Sequence, residues 1–359
     1  MSEEETIKFG IEGPNYPWNA IKNVALLAEK WGFDSFWMPD HLVATGIRRW
    51  DALEAWCTLA GLAMITKKIK LATGVSDTYR YHPAVLAQKV TTVDILSDGR
   101  VILGIGIGEA MNLVPYGIPY DKPIRRTEEA LEIIRRLWSE DLVTFEGKYY
   151  KLKDAILQPK PSVPISRDKY RPTVPIFIAA SSPRTMKMVA KYGDGWLPAN
   201  LPPDSYAEGL QSIRKMAAEF GRDPDAIEPA QFTYVCIDKD REAARKAVLV
   251  QAKLLLLSRP KILEKLGYTP PTYQYEMTFN LVFPRDGKGW LETAMTLPDE
   301  VVDKAPYIIG TPDDAIEKID EYIKAGCRHF VINFQTTARR LPEMAGLFAE
   351  KVIPYFKGK

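Results

Sequence analysis

The segment Gly99-Arg-Val-Ile-Leu-Gly-Ile-Gly-Ile-Gly-Glu-Ala-Met-Asn112 follows a turn at Ser97-Asp-Gly99 and runs through an apolar, β-branched core, Val101 to Ile105. A short apolar run without polar alternation is the pattern of a strand buried on both faces in a parallel sheet. Gly106, Gly108, Glu109 and Asn112 then stand at the strand's C-terminal end. Glycines there let a flat ligand approach the backbone, and a carboxylate just beyond them is placed for proton chemistry. The plainer reading is a glycine-rich strand end with one solvated glutamate. The spacing Gly104-x-Gly-x-Gly108 lacks the G-x-x-G and following helix of a dinucleotide fingerprint, so it does not indicate a Rossmann fold.

Working outward from this strand, apolar segments and amphipathic helical patterns alternate in units of roughly 30 residues, the signature of β/α units on a parallel sheet. Strands are predicted at Ile7 to Ile11, Ser35 to Met38, Ile69 to Thr73, Val101 to Ile105, Val174 to Ala179, Gly195 to Pro198, Gln231 to Ile237 and Arg328 to Asn333. Helices are predicted near Trp18 to Trp31, Leu53 to Ile65, Ala84 to Leu96, Arg126 to Trp138, from Pro183, Asp204 to Gly221, Arg241 to Leu257, Pro312 to Ala325 and Pro342 to Phe356. Eight such units predict an α/β fold, a (β/α)8 TIM barrel, as one domain over 1–359. Two insertions interrupt it after the fourth and seventh units, about 141–171 and 259–307. The first reads as a hairpin around Glu146-Gly147 followed by a loop through Pro159, Pro161 and Pro164. The second reads as irregular, with Tyr273, Tyr275, Phe279, Phe283 and Trp290 either lining a substrate mouth or packing over the barrel.

Composition narrows the function. The 359 residues carry 48 basic and 46 acidic side chains, a net charge of +2, so no nucleic-acid or anionic-membrane partner is expected. Cys57, Cys236 and Cys327 lie far apart, which fits reduced thiols in the cytoplasm and neither a disulfide framework nor a zinc site. The polar, acidic Met1-Ser-Glu-Glu-Glu-Thr6 is not a signal or transit peptide, and no run of about 18 apolar residues is present to span a bilayer.

Chemistry in such barrels sits at the C-terminal strand ends. That makes Asp40 and His41, Gly74 to Ser76, Gly106 to Asn112, Ala179 to Ser182 and Asn333 to Thr336 the candidates. Of the three histidines, His329 reads as a hydrogen-bonded core or bottom-face residue and His82 as a helix cap before Pro83. His41 follows Asp40 at a strand end, where an imidazole can exchange a proton near neutral pH. No second histidine or cysteine stands at metal-ligand spacing, so no metal is expected. Ala179-Ala-Ser-Ser-Pro-Arg184 sets two hydroxyls before a helix starting at Pro183, which reads as an anion cradle, as N-capping by Ser182, or as both.

These residues resemble the luciferase-like family of flavin and deazaflavin oxidoreductases, and more closely its branch using coenzyme F420. The resemblance rests on Gly32-Phe-Asp-Ser-Phe-Trp-Met-Pro-Asp-His41, Thr73-Gly-Val-Ser76, Arg80-Tyr-His-Pro-Ala-Val-Leu-Ala-Gln88, Asp98 to Asn112, Phe145-Glu-Gly-Lys-Tyr-Tyr150, Tyr192-Gly-Asp-Gly-Trp196 and Gly310-Thr-Pro-Asp313. It implies a homodimer of (β/α)8 barrels acting on a small-molecule substrate, with a cis peptide at Gly74-Val75. It further implies cofactor contacts at Asp40, Gly74, Val75, Ser76, Gly108, Glu109, Asn112, Ala180, Ser181 and Ser182, and acid/base roles for His41 and Glu109. A deazaflavin carries carbon in place of the flavin's reactive nitrogen and transfers hydride, so the substrate oxygen needs a neighbouring acid/base. Two departures mark the chain. His41-Leu-Val-Ala-Thr-Gly46 lacks the tryptophan of the family's alcohol dehydrogenases, and Leu197-Pro-Ala-Asn-Leu-Pro-Pro203 lacks the lysine of its sugar-phosphate enzymes. Glucose 6-phosphate is therefore not the expected substrate. Phe9-Gly-Ile-Glu12 and the short link after the third strand are similar to methylenetetrahydromethanopterin reductases, which usually have aspartate at the Glu109 position. The implied function is F420-dependent hydride transfer to or from an alcohol/carbonyl pair or a methylene-tetrahydropterin. FMN-dependent monooxygenase and non-catalytic flavin- or deazaflavin-binding protein are the alternatives.

Overall fold

The computed structural model describes residues 6–44, 50–161, 163–166, 169–171, 173–269 and 283–357. Eight parallel strands close on themselves: β1 (Lys8–Glu12), β2 (Ser35–Met38), β3 (Lys70–Thr73), β4 (Val101–Ile105), β5 (Ile176–Ile178), β6 (Gly195–Trp196), β7 (Glu228–Ile237) and β8 (His329–Phe334). Each pairs with its sequence neighbour, and β8 pairs with β1 in the register Lys8↔His329 to Ile11↔Ile332. The expected (β/α)8 barrel is thus the observed fold. Around it lie α1 (Trp18–Lys30), α2 (Ala55–Ala63), α3 (Pro83–Leu96), α4 (Pro123–Ser139), α5 (Pro183–Tyr192), α6 (Pro203–Glu219), α7 (Arg241–Leu257), α8 (Pro312–Lys324) and α9 (Leu341–Lys351).

Two apolar layers result from the strand period. Trp37, Ala72, Ile102, Phe177, Leu197, Ala230 and Val331 point inward and fill the barrel axis, while the alternate side chains join the helices in the main core. The axis is plugged at this level, so any site must lie above or below it. Gly104 is glycine because the β3 backbone runs against it: a Cβ there would stand 1.8 Å from the Thr73 carbonyl oxygen. Thr73 Oγ1 seals the approach by donating to the Gly104 carbonyl at 2.8 Å. Before β4, Asp98 and Gly99 take positive φ (54° and 77°) and turn the chain. Arg100 then donates to the Ser97, Ile69, Ala63 and Thr66 carbonyls and so fastens the turn to α2 and β3.

The insertions differ from expectation. The first hairpin pairs Val143–Glu146 with Lys151–Ala155, so its turn lies at 147–150, later than Glu146-Gly147. Glu129 of α4 fixes that turn by accepting from the N–H groups of Lys148, Tyr149 and Tyr150. A second antiparallel pair, Val163–Ser166 with Lys169–Arg171, occupies what was read as a proline-rich loop. In the second insertion, a short helix (Pro260–Lys265) and a longer one (Phe283–Met295) replace part of the irregular stretch. Ile308–Gly310 adds an extra strand on the C-terminal end of β7, through Val235↔Ile308 to Ile237↔Gly310. Tyr273, Tyr275, Phe279 and the side chain of Phe283 lie outside the described residues. No helix among the described residues is long and apolar enough to cross a membrane.

Candidate active site

At the C-terminal ends of the strands a cavity of about 220 Å³ is lined by Glu12, His41, Gly74, Val75, Glu109, Ala179, Leu197, Phe232, Tyr234, Arg259, Trp290 and Asn333, among others. A larger cavity, about 500 Å³, opens at the opposite end of the barrel. Its polar groups are paired with one another: Lys8 with Glu228 at 2.9 Å, Glu228 with His329 at 2.8 Å, and His329 Nε2 with Ser35 Oγ at 3.0 Å. That is the stabilising face of such barrels, and His329 belongs to it. His82 caps α3, accepting from the Ala84 N–H.

The C-terminal cavity gathers His41 and Glu109 in its lining, with Asn112 buried behind them. Asn112 sits on a short 3-10 turn after β4, and its Oδ1 accepts from the Leu42 N–H at 2.8 Å. This backbone donor orients the amide, so Nδ2 is the atom facing His41 Nδ1 at 2.9 Å and Glu109 Oε2 at 3.3 Å. As Nδ2 can only donate, His41 Nδ1 accepts, and the imidazole proton is assigned to Nε2. Glu109 Oε2 is 3.5 Å from the same Nδ1. Burial pushes the His41 imidazole down and the Glu109 carboxyl up, each partly opposed by the other's charge. Both groups are therefore drawn toward their neutral forms, poised to pass a proton.

Opposite them, strand β3 bulges. Ser76 N–H donates to the Gly104 carbonyl at 2.9 Å, and Gly106 N–H to the Ser76 carbonyl at 2.8 Å. Gly74 and Val75 are thus extruded from the ladder into the cavity wall, and their peptide is cis, as the resemblance implies. Gly106 makes room for them, since a Cβ there would meet Val75 Cγ2 at 2.8 Å. Gly108 has φ +80° and its carbonyl accepts from the Tyr120 hydroxyl at 3.0 Å.

The remaining expected residues lie apart from the lining. Asp40 is 3% exposed. Its carboxylate accepts from Ser76 Oγ at 2.5 Å and from the Tyr81 hydroxyl at 3.2 Å, and pairs with Arg80 Nη1 at 3.0 Å. Arg80 also binds Asp77 at 2.6 Å, and Trp56 Nε1 donates to Ser76 Oγ at 3.2 Å. Ala180, Ser181 and Ser182 adjoin the cavity through Ala179, at the start of α5. There Ser182 caps the helix, and the N–H groups of Ser181 and Ser182 both donate to Thr185 Oγ1. Both readings of this segment, cap and cradle, thus fall on a capping box already closed by Thr185.

Glu12, Tyr234 and Arg259 are polar lining residues to which the sequence reading gave no chemical role. Glu12 ends β1 and accepts from the Asn333 amide at the end of β8. Burial pushes its carboxyl up to about 8, with the Asn333 hydrogen bond pulling partly back. A glutamate closing Phe9-Gly-Ile-Glu12 looks solvated in isolation; only closure of the barrel covers it. Between its ordinary 4.5 and about 8, the folded protein holds a proton that the unfolded chain releases, so stability falls as pH rises through this window. Glu12→Gln should remove that dependence. Glu12 is only partly buried, which softens the effect and leaves the variant roughly 1–3 kcal/mol more stable relative to wild type near pH 8 than near pH 5. Thermal unfolding of both proteins across that range checks it, and parallel pH curves would contradict it.

The cavity wall fits a flat ring: Val75, Ala179 and Leu197 supply apolar contacts, and Glu12, His41 and Glu109 supply protic groups. No cluster of three or more potential metal ligands occurs among the described residues.

Residues 6–329 match the family described as luciferase-like monooxygenase. The 5,10-methylenetetrahydromethanopterin reductase of Archaeoglobus fulgidus is 33% identical over 328 residues, 90% of this chain and 92% of its own. The coenzyme F420-dependent tetrahydromethanopterin reductase of Methanopyrus kandleri superposes with a TM-score of 0.80 at 28% identity, covering 98% of this chain and all of the other. An F420-dependent secondary alcohol dehydrogenase, solved with an F420-acetone adduct, gives a TM-score of 0.78 at 25% identity, covering 97% and 98%. With its barrel closed, its cavity at the C-terminal strand ends and its match running nearly end to end, the chain belongs to the luciferase-like monooxygenase family.

Proposed function

We propose that this protein is an oxidoreductase that transfers a hydride between coenzyme F420 and an organic substrate, an alcohol/carbonyl pair first and a methylene-tetrahydropterin second. The observation that carries the reading is the neutral-leaning His41–Glu109 pair, oriented by Asn112, in one cavity with the Gly74-Val75 bulge. Bound F420 supplies the hydride donor or acceptor carbon. Val75 and Ala179 hold the ring face, and the side chains of Leu197, Phe232 and Trp290 exclude water from the substrate side. His41 and Glu109 give a proton to the substrate oxygen or nitrogen, or take it back, with Glu12 as a third protic group below them. Asp40 and Ser76 act one layer beneath the ring, fixing the strand ends that present His41 and the bulge. Gly108 and the Ala180-Ser181-Ser182 segment complete the cofactor's surroundings.

The protein is expected to be a cytoplasmic homodimer acting on a small molecule, with no nucleic-acid partner. Sedimentation of the purified protein tests the dimer. Binding to oxidised F420 and to FMN, side by side by fluorescence quenching, tests the cofactor. Tight F420 binding with weak FMN binding is the expected outcome. The reverse preference, with oxygen uptake by the reduced flavin, would make the protein an FMN monooxygenase and leave His41 and Glu109 without these roles.

A further inference from the structure

Arg259 N-caps the short helix Pro260–Lys265 and reaches into the same cavity. Its Nη1 donates to the Ala199 carbonyl at 2.8 Å, which fixes the plane of the guanidinium. Its Nε is buried and has no hydrogen-bond partner among the described residues. No described carboxylate lies within ion-pair distance of it, in contrast to Arg80, Arg135 and Arg245, which pair with Asp40, Asp194 and Asp303. Of the carboxyls that share the cavity, Glu109 feels its charge through space but forms no ion pair with it. Glu12 and Glu109 are both shifted toward their neutral forms by burial. Arg259 is therefore a guanidinium beside apolar walls, held at Nη1 by the Ala199 carbonyl and met by the Tyr234 hydroxyl, with its Nε unpartnered and no described carboxylate in an ion pair with it. A charge in such surroundings is costly until something pairs with it.

We propose that Arg259 receives a carboxylate of the substrate, so that the compound oxidised or reduced here is an acid carrying a carbonyl or alcohol on an apolar body. The proposal rests on the oxidoreductase reading above. A guanidinium held by Nη1 leaves its Nε edge for two parallel hydrogen bonds, the fork that a carboxylate matches. A phosphate dianion ordinarily takes more positive charge than one arginine. The other basic group of the described lining, His41, is pushed toward neutrality by burial. Phe232, Leu255 and Trp290 provide the apolar contact beside it.

The test compares benzoylpropionate, its methyl ester and dihydroxyacetone phosphate, by calorimetry on the protein with and without oxidised F420. The acid should bind about 10–100-fold more tightly than the ester. In Arg259→Gln this preference should vanish, and in Arg259→Lys it should survive in part, with F420 affinity unchanged in both. Equal binding of acid and ester to the wild type, a preference that persists in Arg259→Gln, or tighter binding of the phosphate would each overturn the proposal. Failure of F420 to bind would instead sink the oxidoreductase reading, because the acid–ester comparison on the protein alone still reports on Arg259.

Discussion

Glu109→Gln is expected to lower turnover by about 10²–10⁴-fold while leaving affinity for oxidised F420 within a few fold. Glutamine keeps the volume of the side chain and can still accept from Asn112 Nδ2, now at 3.3 Å. What it cannot do is hold and release a proton beside His41. The effect should therefore fall on kcat, with the folded structure and the cavity intact. Single-turnover reduction with F420, alongside equilibrium binding, separates the two quantities. A large loss of cofactor binding with unchanged turnover would refute the acid/base role and make Glu109 a binding residue. The companion variant Glu12→Gln identifies the alternative. If it loses turnover where Glu109→Gln does not, the proton passes through the β1 carboxyl, and His41 and Glu109 shape the cavity instead.

The division of labour around this cavity was only partly legible in the sequence. The barrel itself was, because six of its eight strands contain apolar runs of three or more residues and the β/α period resumes after each insertion. His41 and Glu109 were legible because each follows such a run directly, at the end where barrels do chemistry. Glu12 was not, since its neutral state arises from burial on closure of β8 on β1, against which the hydrogen bond from Asn333, 321 residues away, pulls only partly back. Arg80 was likewise hidden in what read as a link from β3 to α3, although it holds both Asp40 and Asp77. The reason for Gly104 was hidden too, since only pairing with β3 brings the Thr73 carbonyl against it. The helix Phe283–Met295 escaped because Pro284, Gly287 and Gly289 weaken its intrinsic propensity, while burial of Trp290 and Ala294 outweighs that. Ile308–Gly310 is too short for any periodic signal and exists because β7, ten residues long, offers an unpaired edge beyond β6, on the side away from β8. In each case the missing information is a partner distant in sequence.

Asp40 decides whether the floor of the site is support or contact. Its carboxylate lies among three donors contributed by the link after β3, Ser76, Arg80 and Tyr81, and almost none of it is exposed. Burial opposes its ionisation, and Arg80 and the Ser76 hydroxyl work against that cost. Burial also works against Arg80's charge, but Asp40 and Asp77 outweigh it and hold the guanidinium firmly protonated. Asp40→Asn removes the charge and keeps the shape, so Arg80 is left buried with one carboxylate in place of two. Breaking a buried pair in this way costs about 3–5 kcal/mol, and retention of Asp77 brings the expected loss to roughly 2–4 kcal/mol. For a chain of this size that is a fall of roughly 3–5 °C in unfolding temperature, measurable by calorimetry. Because Asp40 carries His41 on its C-terminal side, part of the activity should go with the stability. Cofactor affinity measured well below the transition should change by less than about tenfold, and by less still when stabilising osmolyte is added. An unshifted transition together with abolished F420 binding would reverse the assignment, because it would require Asp40 to leave its present partners and meet the cofactor directly.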